Sequence, residues 1–329
     1  MKLFVAFLLF VASTAAKFAE SEVDLWSKFK NDHNRIYQSW QEESLRFDIF
    51  KANVRMINEH NAKYEKGEST YFMGINKFTD KTADELTRIY LTNVQPPTRR
   101  DEVDLSHVTD VPDQKNWTSL GVVTVPKDQG SCGCCYAFAS VAAIESANAI
   151  TNYVLRNLSV QQVLDCSYKT YINEGCSGGI IEGSIHYAMD HGLVSEESYP
   201  YRFGQYYCLV KEDLAVVSVE NYKNVAPDED QLKAAVGTIG PVAACAVADD
   251  SWFHYAGGII DGVCPDNKAT NHVVLVAGYG TENGTDYWYL KNSWGADWGL
   301  NGYLKVRRNH NNAYCLATYT AYPILKSIH

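Results

Sequence analysis

All nine cysteines of the chain lie in its C-terminal two-thirds, and none comes before residue 132. The N-terminus has Lys2, an apolar run from Leu3 to Ala12 and then small residues, which predicts a secretory signal peptide over residues 1–16. In an oxidising compartment most cysteines pair, and an odd number leaves at least one thiol unpaired. We therefore expect a disulfide-linked C-terminal part with at least one available thiol.

Composition and charge exclude several classes of protein. With 46% hydrophobic and 21% charged residues, the chain has the composition of a soluble globular protein. The net charge is −10 and there is no basic cluster, which argues against nucleic acid or an anionic membrane as partner. No stretch approaches the roughly 20 apolar residues of a membrane helix. No second C-x-x-C or histidine pair follows at ligand spacing, so we expect no metal and no cofactor.

The chain changes character near residue 100. Residues 17–92 are highly charged and carry apolar residues mostly at helical spacing. The polar, proline-bearing stretch 95–102 indicates an exposed linker. Beyond it Gly, Tyr, Trp and Cys become frequent, and short runs such as residues 273–276 and 287–290 are typical of strands.

The stretch from Asp128 to Phe138, DQGSCGCCYAF, places two adjacent cysteines where a glycine-bearing loop becomes a small apolar helix. A thiol at a helix N-terminus lies among unpaired N–H groups and at the positive end of the helix dipole. That position favours the thiolate, which is the nucleophilic form. The stretch therefore predicts a reactive thiol.

A second pattern follows one face of a predicted helix in the N-terminal part. Its members recur at intervals of three or four residues and mix charge, aromatic and amide: Glu42, Arg46, Phe50, Asn53, Ile57 and Asn61. Gly74, Asn76, Phe78 and Asp80 then follow at alternate positions. The face is either an ordinary amphipathic flank or a surface that docks on a specific partner.

These stretches together resemble the papain-like cysteine proteases, and most closely the cathepsin L-type enzymes. DQGSCGCCYAF resembles the family's nucleophile segment. Asn271-His272 with its apolar run resembles the histidine segment, and KNSWG at residues 291–295 resembles the asparagine segment. The helix face and the alternate residues match the two propeptide patterns, E-x3-R-x3-F-x2-N-x3-I-x3-N and G-x-N-x-F-x-D. The resemblance covers nearly the whole chain after the signal.

The resemblance implies an α+β, papain-like two-lobe fold, with a helical lobe and a strand-rich lobe, preceded by a helical inhibitory propeptide. It divides the chain into a signal peptide (residues 1–16), a propeptide (17–110) and a mature protease domain (111–329). In the family the propeptide runs backwards through the active-site cleft and is not cleaved, so the chain's own propeptide is its expected inhibitor. The implied protein is a monomeric endopeptidase acting on proteins and peptides, made in the secretory pathway and lysosomal or extracellular.

Peptide hydrolysis by a thiol needs a nucleophile, a proton carrier and donors for the oxyanion. By resemblance, Cys135 aligns with the nucleophile without gaps from Val111. His272 would pair with its thiolate and protonate the leaving amine, and Asn292 would hold the imidazole. Gln129 would bind the oxyanion together with the Cys135 N–H.

The resemblance also predicts residues that contact substrate or cover the site. Two glycines would pair with the substrate backbone, a tryptophan would cover the His–Asn contact, and the rest would line the main specificity pocket: Gly178, Gly179, Trp294, Ile181, Cys245, Thr270 and either Tyr319 or Thr320. The last choice depends on where a one-residue gap after Cys315 is placed. The pocket should be largely uncharged and should prefer a hydrophobic side chain one residue before the residue at the cleaved bond.

The family's disulfide pairing assigns most of the remaining cysteines. It implies the bonds Cys132–Cys176, Cys166–Cys208 and Cys264–Cys315, which leaves Cys134 and Cys245 as extra thiols beside the nucleophile. N-x-S/T sequons make Asn116, Asn157 and Asn283 candidates for glycosylation.

Two residues depart from the family pattern. Cys134 replaces a small residue, and it either fills the same space or lets oxidation inactivate Cys135. Tyr136 replaces the usual Trp and carries a hydroxyl that needs a partner.

Two other functions compete with the protease. A catalytically impaired homologue that binds or inhibits is the main alternative, although its expected signature, loss of Cys, His or Asn, is absent. A storage or structural protein is the third, although it would not need both propeptide patterns.

Overall fold

The computed structural model describes residues 21–92, residue 94 and residues 101–327, so the predicted signal peptide lies outside the described residues. The α-helices in this part are α1 (Glu22–Asp32), α2 (Trp40–Glu65), α3 (Ala83–Tyr90), α4 (Cys135–Asn152), α5 (Val160–Cys166), α6 (Ile181–His191), α7 (Glu229–Thr238) and α8 (Asp250–Phe253). Short 3₁₀ turns occur at Gly175–Ser177, Glu212–Leu214 and Ala313–Cys315. Across the described ranges, every helix is too short or too polar to cross a membrane.

The strands join one long mixed sheet. They are β1 (Tyr71–Met73), β2 (Glu102–Val103), β3 (Lys115–Asn116), β4 (Val219–Val225), β5 (Val242–Ala246), β6 (Tyr255–Ile260), β7 (His272–Glu282), β8 (Thr285–Lys291), β9 (Tyr303–Arg307) and β10 (Thr320–Leu325). Their order is β1-β6-β9-β8-β7-β5-β10-β4-β2, with β3 paired to β7. The first strand comes from the N-terminal segment, so this segment extends the sheet of the C-terminal part.

The N-terminal segment folds on itself through the face of α2 that the sequence singled out. The Arg46 guanidinium donates to the Glu85 carboxylate at 2.8 Å, and Asn53 Nδ2 donates to the carbonyls of Thr79 and Lys81 at 2.9 Å each. On the same face of α2, the buried Phe50 packs with aromatic residues of α1. The face therefore does dock, but on the loop that follows it in the same segment.

Helix α4 is the centre of the C-terminal part. It is buried on nearly all sides, and it packs against α6 on one side and against β7 and β10 on the other. A helix that is apolar all round is expected only at such a central position. Three disulfides close the surrounding loops with the pairing that the resemblance implied: Cys132–Cys176, Cys166–Cys208 and Cys264–Cys315.

A buried network of charges links α4 to the strand-rich side. Glu145, fully buried within α4, accepts from Lys127 Nζ at 3.0 Å and from the backbone N–H of Leu158 at 2.8 Å. Its other oxygen accepts from the Thr124 hydroxyl, which in turn accepts from Lys291 Nζ at 2.8 Å. Burial lowers the pKa of Lys291 to about 8, although the Glu145 charge raises it. The network therefore ties the residue before Asn292 to the helix that begins with Cys135.

We predict that Glu145→Ala lowers the free energy of unfolding of the full chain by about 3–5 kcal/mol, because it leaves the buried Lys291 and the partly buried Lys127 without their counter-charge. Urea unfolding followed by tryptophan fluorescence measures this change. Asp32→Ala, which removes the exposed Lys28–Asp32 pair, is the control and should cost at most about 1 kcal/mol. Equal, small effects of both substitutions would contradict the role given to the network.

Candidate functional site

The predicted nucleophile lies at the first residue of α4. Cys135 begins the helix, Cys134 precedes it as the N-cap, and the side chains of both are fully buried. The loop before the helix is fixed by the Cys132–Cys176 disulfide and by the Gly133 N–H, which donates to the Cys176 carbonyl at 3.0 Å. The thiol of Cys135 therefore has the helix N-terminal position that the sequence predicted.

His272 and Asn292 meet on neighbouring strands. His272 is the first residue of β7, and Asn292 directly follows β8, its antiparallel partner. His272 Nε2 lies 2.8 Å from Asn292 Oδ1, which leaves Nδ1 without a hydrogen-bond partner in the described part of the chain. The ring of Trp294 packs on the imidazole with a centroid distance of 5.1 Å. Asn292 thus fixes the ring, and Trp294 covers it.

The thiol of Cys135 lies against the start of β7, the strand that His272 begins. The Cys135 thiol interacts with the backbone of Val273, the residue after His272. Burial raises the pKa of the Cys135 thiol to about 11, and burial lowers the pKa of His272 to about 4, although its hydrogen bond with Asn292 raises it. Burial therefore opposes the charged form of both groups in this closed form, whereas the helix dipole favours the thiolate.

Gln129 lies beside the start of α4 and is held from several sides. Its backbone N–H donates to the Ser293 carbonyl at 2.8 Å, and its Oε1 accepts from the Ser293 hydroxyl at 2.6 Å. Its Nε2 donates to the Cys132 carbonyl at 2.9 Å. An amide nitrogen has two hydrogens, so one remains for a further acceptor next to Cys135.

The N-terminal segment crosses the site at Thr92 and Val94. The Thr92 N–H donates to the Asn271 carbonyl at 2.8 Å. The Val94 N–H donates to the Thr270 carbonyl at 3.0 Å, and the Thr270 hydroxyl donates to the Val94 carbonyl at 3.0 Å. The Thr92 side chain interacts with the thiol of Cys135 and lowers its pKa, against the larger effect of burial. A Cβ on Gly133 would lie 2.2 Å from the Thr92 methyl, so this close approach requires the glycine. The segment therefore covers the predicted nucleophile.

The segment is anchored beside the site by the loop between β1 and α3. Phe78 is 1% exposed and packs edge-on against Trp294 at 5.7 Å, while Asn76 Nδ2 donates to the Phe253 carbonyl at 2.8 Å. Lys77 reaches two carboxylates of the C-terminal part, Asp128 and, at 3.4 Å, Asp297. Phe78, one of the alternate residues of the second propeptide pattern, thus contacts the tryptophan that covers His272.

The predicted pocket residues divide between the two sides of the site. On the strand-rich side Cys245 pairs with Val273, its N–H donates to the Tyr319 carbonyl at 2.9 Å, and Thr320 opposes Ala244. On the helical side Ile181 begins α6. Both Tyr319 and Thr320 border the same strand, so the choice between them for the base of the pocket stays open.

Gly178 and Gly179 lie close to Tyr136, the aromatic residue that departs from the family pattern. A Cβ on Gly179 would lie 2.7 Å from the Tyr136 ring, and Gly178 has φ +125°, a conformation that favours glycine. The Tyr136 hydroxyl donates to the Gly175 carbonyl at 3.2 Å. The hydroxyl therefore has the partner that its burial requires.

Some contacts of the site carried no signal in the sequence. Thr92 belongs to neither propeptide pattern, and Tyr201, whose hydroxyl donates to the Gln129 carbonyl at 2.7 Å, lies 66 residues beyond Cys135. The three sequon asparagines Asn116, Asn157 and Asn283 are exposed. Within the described residues, no group of three or more His, Cys, Asp or Glu side chains is arranged to hold a metal ion.

Comparison with known proteins places the chain in a family. Residues 111–324 match the papain family cysteine proteases, and residues 26–86 match the cathepsin propeptide inhibitor domain. A cathepsin L-like proteinase of Phaedon cochleariae is 41% identical over 93% of this chain and 95% of its own length. Digestive cysteine proteinase 1 of Homarus americanus is 35% identical over 98% of this chain and 99% of its own.

A solved structure has the same arrangement of both parts. Digestive procathepsin L 3 from the larval midgut of Tenebrio molitor superposes with a TM-score of 0.86 at 38% identity, covering 92% of this chain and 99% of that one. The fold is therefore the papain-like one with its propeptide in place. The chain belongs to the papain family of cysteine proteases and carries the family's propeptide inhibitor domain ahead of the protease domain.

Proposed function

We propose that this protein is the zymogen of a cathepsin L-like cysteine endopeptidase that hydrolyses peptide bonds through Cys135, His272 and Asn292. The observation that carries the proposal is the hydrogen bond between His272 Nε2 and Asn292 Oδ1. It leaves Nδ1 free at the junction where the Cys135 thiol meets the backbone of β7. A thiol nucleophile needs an oriented base in this position.

Each step of the reaction has a residue suited to it. Once the segment over the site leaves, water and substrate replace it, and His272 Nδ1 takes the proton of Cys135. The thiolate attacks the peptide carbonyl, and the oxyanion binds the Gln129 amide and the Cys135 N–H. His272 then protonates the leaving amine and activates the water that releases the acyl group.

Substrate preference follows from the side chains around the cleft. Ile181, Cys245 and Thr270 bring no charge to the main pocket, and neither Tyr319 nor Thr320 adds an acidic group. A hydrophobic side chain therefore fits one residue before the residue at the cleaved bond. The backbone of Gly178 and Gly179 would pair with the substrate.

The course of maturation and the location of the protein follow from the predicted segments. Removal of a signal peptide over residues 1–16 would deliver the chain to the secretory pathway. Release of residues 17–110 would then leave the protease domain, 111–329. We infer a monomer that works in a lysosome or outside the cell, with glycans on one or more of Asn116, Asn157 and Asn283.

Acid conversion of the purified full-length protein tests the activity. We expect a shorter form that is labelled at Cys135 by an epoxide thiol probe and that cleaves fluorogenic peptides ending in Phe-Arg or Leu-Arg faster than Arg-Arg. The preference arises because a cation in an uncharged pocket loses its hydration without a partner.

Two variants separate the outcomes of this experiment. Cys135→Ala should abolish both labelling and turnover, whereas Cys245→Ala should keep the label. A converted, folded protein with neither label nor turnover would instead favour a catalytically impaired binding protein. Equal or better cleavage after Arg-Arg would reject the pocket assignment alone.

Inhibition by the N-terminal segment depends on Phe78. We predict that Phe78→Ala increases the rate of Cys135 alkylation by iodoacetamide in the uncleaved chain at neutral pH at least tenfold. Removing a fully buried aromatic ring costs about 3–5 kcal/mol of packing. Peptide mass spectrometry with fragmentation distinguishes Cys135 from Cys134.

The matched control for this test is Trp40→Ala, which removes an aromatic side chain that is 75% exposed in the same segment. Its alkylation rate should equal that of the unchanged chain. If Phe78→Ala behaved in the same way, Phe78 would not hold the segment over the site.

Two buried groups, the Asp80 carboxylate and the His254 imidazole, are the candidates for acid-sensitive activation. Asp80 is 2% exposed, accepts from the Tyr37 hydroxyl at 2.9 Å and pairs with Arg35 at 3.1 Å, so its protonation loosens the segment itself. His254 is buried against the Gly74 backbone, and burial lowers its pKa to about 4 although the contact with Gly74 raises it. A histidine held neutral by docking favours the docked state above about pH 6.5, and this advantage falls as pH drops toward 4.

We predict opposite shifts in the pH at which activation is half-complete. Asp80→Asn imitates the protonated carboxyl and should move activation to higher pH. His254→Gln cannot take up a proton and should move activation to lower pH. Gel analysis of the conversion rate across pH 3.5–7 measures both shifts, with His186→Gln, an exposed histidine, as the unshifted control. Unchanged profiles in both variants would assign acid sensing to other groups.

A further inference from the structure

Cys134 lies in an unusual place for a thiol with no assigned role. It is the N-cap of α4, it is fully buried, and its Sγ lies 3.3 Å from the hydroxyl of Tyr201. That hydroxyl lies 2.7 Å from the backbone carbonyl of Gln129. The Cys134 thiol, the Tyr201 hydroxyl and the Gln129 carbonyl thus form a chain of contacts. It runs from the start of α4 to Gln129, whose side chain is predicted to bind the oxyanion.

The direction of the hydrogen bonds follows from the number of hydrogens. A carbonyl only accepts, so Tyr201 donates its single hydroxyl hydrogen to Gln129. The phenol oxygen can then only accept on its other side, and the S–H of Cys134 is the donor. Burial raises the pKa of the Cys134 thiol and that of the Tyr201 phenol, so both keep their hydrogens at working pH.

Packing and hydrogen bonding hold Tyr201 in place, so that it can in turn position Gln129. Its ring packs edge-on against Phe138 of α4 at a centroid distance of 5.0 Å, and its backbone N–H donates to the Glu196 carboxylate at 2.7 Å. The ring of Phe203 closes the same loop from outside, since a Cβ on Gly130 would lie 2.8 Å from it. The tyrosine is therefore part of the helical lobe rather than a mobile surface residue.

The Gln129–Gly130 peptide needs such a support. Gly130 has φ +59°, and its N–H donates to Asp128 Oδ1 at 2.9 Å. Asp128 and the Tyr201 hydroxyl thus hold the two polar groups of this peptide from opposite sides. Without the phenol, a buried carbonyl loses its donor, and the loop gains freedom to rotate the Gln129 side chain away from the site.

We propose that Cys134 and Tyr201 are positioning residues that orient Gln129 for the oxyanion through the chain Cys134 S–H to Tyr201 O–H to Gln129 C=O. This inference rests on the proposed function, because it gives the chain a role only if Gln129 binds an oxyanion. It also gives Cys134 a purpose that a small apolar residue could not serve and that requires no oxidation.

Steady-state kinetics of the activated enzyme on a Phe-Arg fluorogenic peptide tests the proposal. Tyr201→Phe removes one oxygen and keeps the ring, and it should lower kcat about fivefold to tenfold with KM changed less than about twofold. The expected loss is smaller than the roughly 10²–10³-fold that follows removal of an oxyanion donor itself. Cys134→Ala should lower kcat about twofold to threefold, and Cys134→Ser, which keeps a donor, should restore it.

A double substitution gives a readout that a merely structural role would not produce. In a Gln129→Ala background, Tyr201→Phe should cause no further loss of kcat, because the group that it positions is gone. Tyr207→Phe, at a tyrosine that is 88% exposed, is the control. Independent, multiplicative losses in the double variant would overturn the proposal, as would an unchanged kcat in Tyr201→Phe. A Gln129→Ala enzyme with full activity would instead overturn the oxyanion role in the proposed function.

Discussion

The contact between the first turn of α4 and the first residues of β7 is the interaction on which the site depends. Neither element can place both reactive groups, because Cys135 begins a helix of one lobe and His272 begins a strand of the other. Glu145 of α4 links the two sides of the site by binding Lys127 directly and Lys291, at the end of β8, through Thr124. A buried charge cluster is costly to form, but once formed it tolerates little displacement, since any separation leaves a charge without a partner.

The N-terminal segment covers the same contact between α4 and β7 and excludes water from it. Thr92 lies over the thiol, and Phe78 packs on the tryptophan that covers His272. Burial disfavours the charged form of both groups, although the helix N-terminus and Asn292 favour it. We infer that inhibition has two parts: the segment covers the cleft, and burial disfavours the thiolate, which is the nucleophilic form.

Much of this architecture could be predicted from the chain. The strand runs after His272 and at Tyr287 and the helix after Cys135 have local signatures, whereas the disulfide pairing was implied by the family resemblance. The face of α2 was ambiguous, because spacing alone shows which residues are neighbours on a helix but not what they contact.

Other features depend on contacts between residues distant in the sequence. Thr92 and Tyr201 belong to no sequence pattern, and their roles follow only from contacts in the folded chain. The position of Cys135 at the helix N-terminus favours the thiolate, and burial in the closed form opposes it. A sequence motif indicates the local dipole, whereas burial depends on residues that are distant in the sequence.

The central claim is that the N-terminal segment keeps His272 buried and uncharged, and a nitrogen-15 NMR titration of the imidazole tests it most directly. The measurement uses the uncleaved chain with Cys135→Ser to prevent self-cleavage, and the His272 signal is identified by its loss in His272→Gln. We predict a neutral ring at pH 6 with a pKa near 4, and a rise toward the ordinary value of about 6.5 once the segment is removed. A His272 that is protonated at pH 6 in the uncleaved chain, or that titrates identically with and without the segment, would contradict this account.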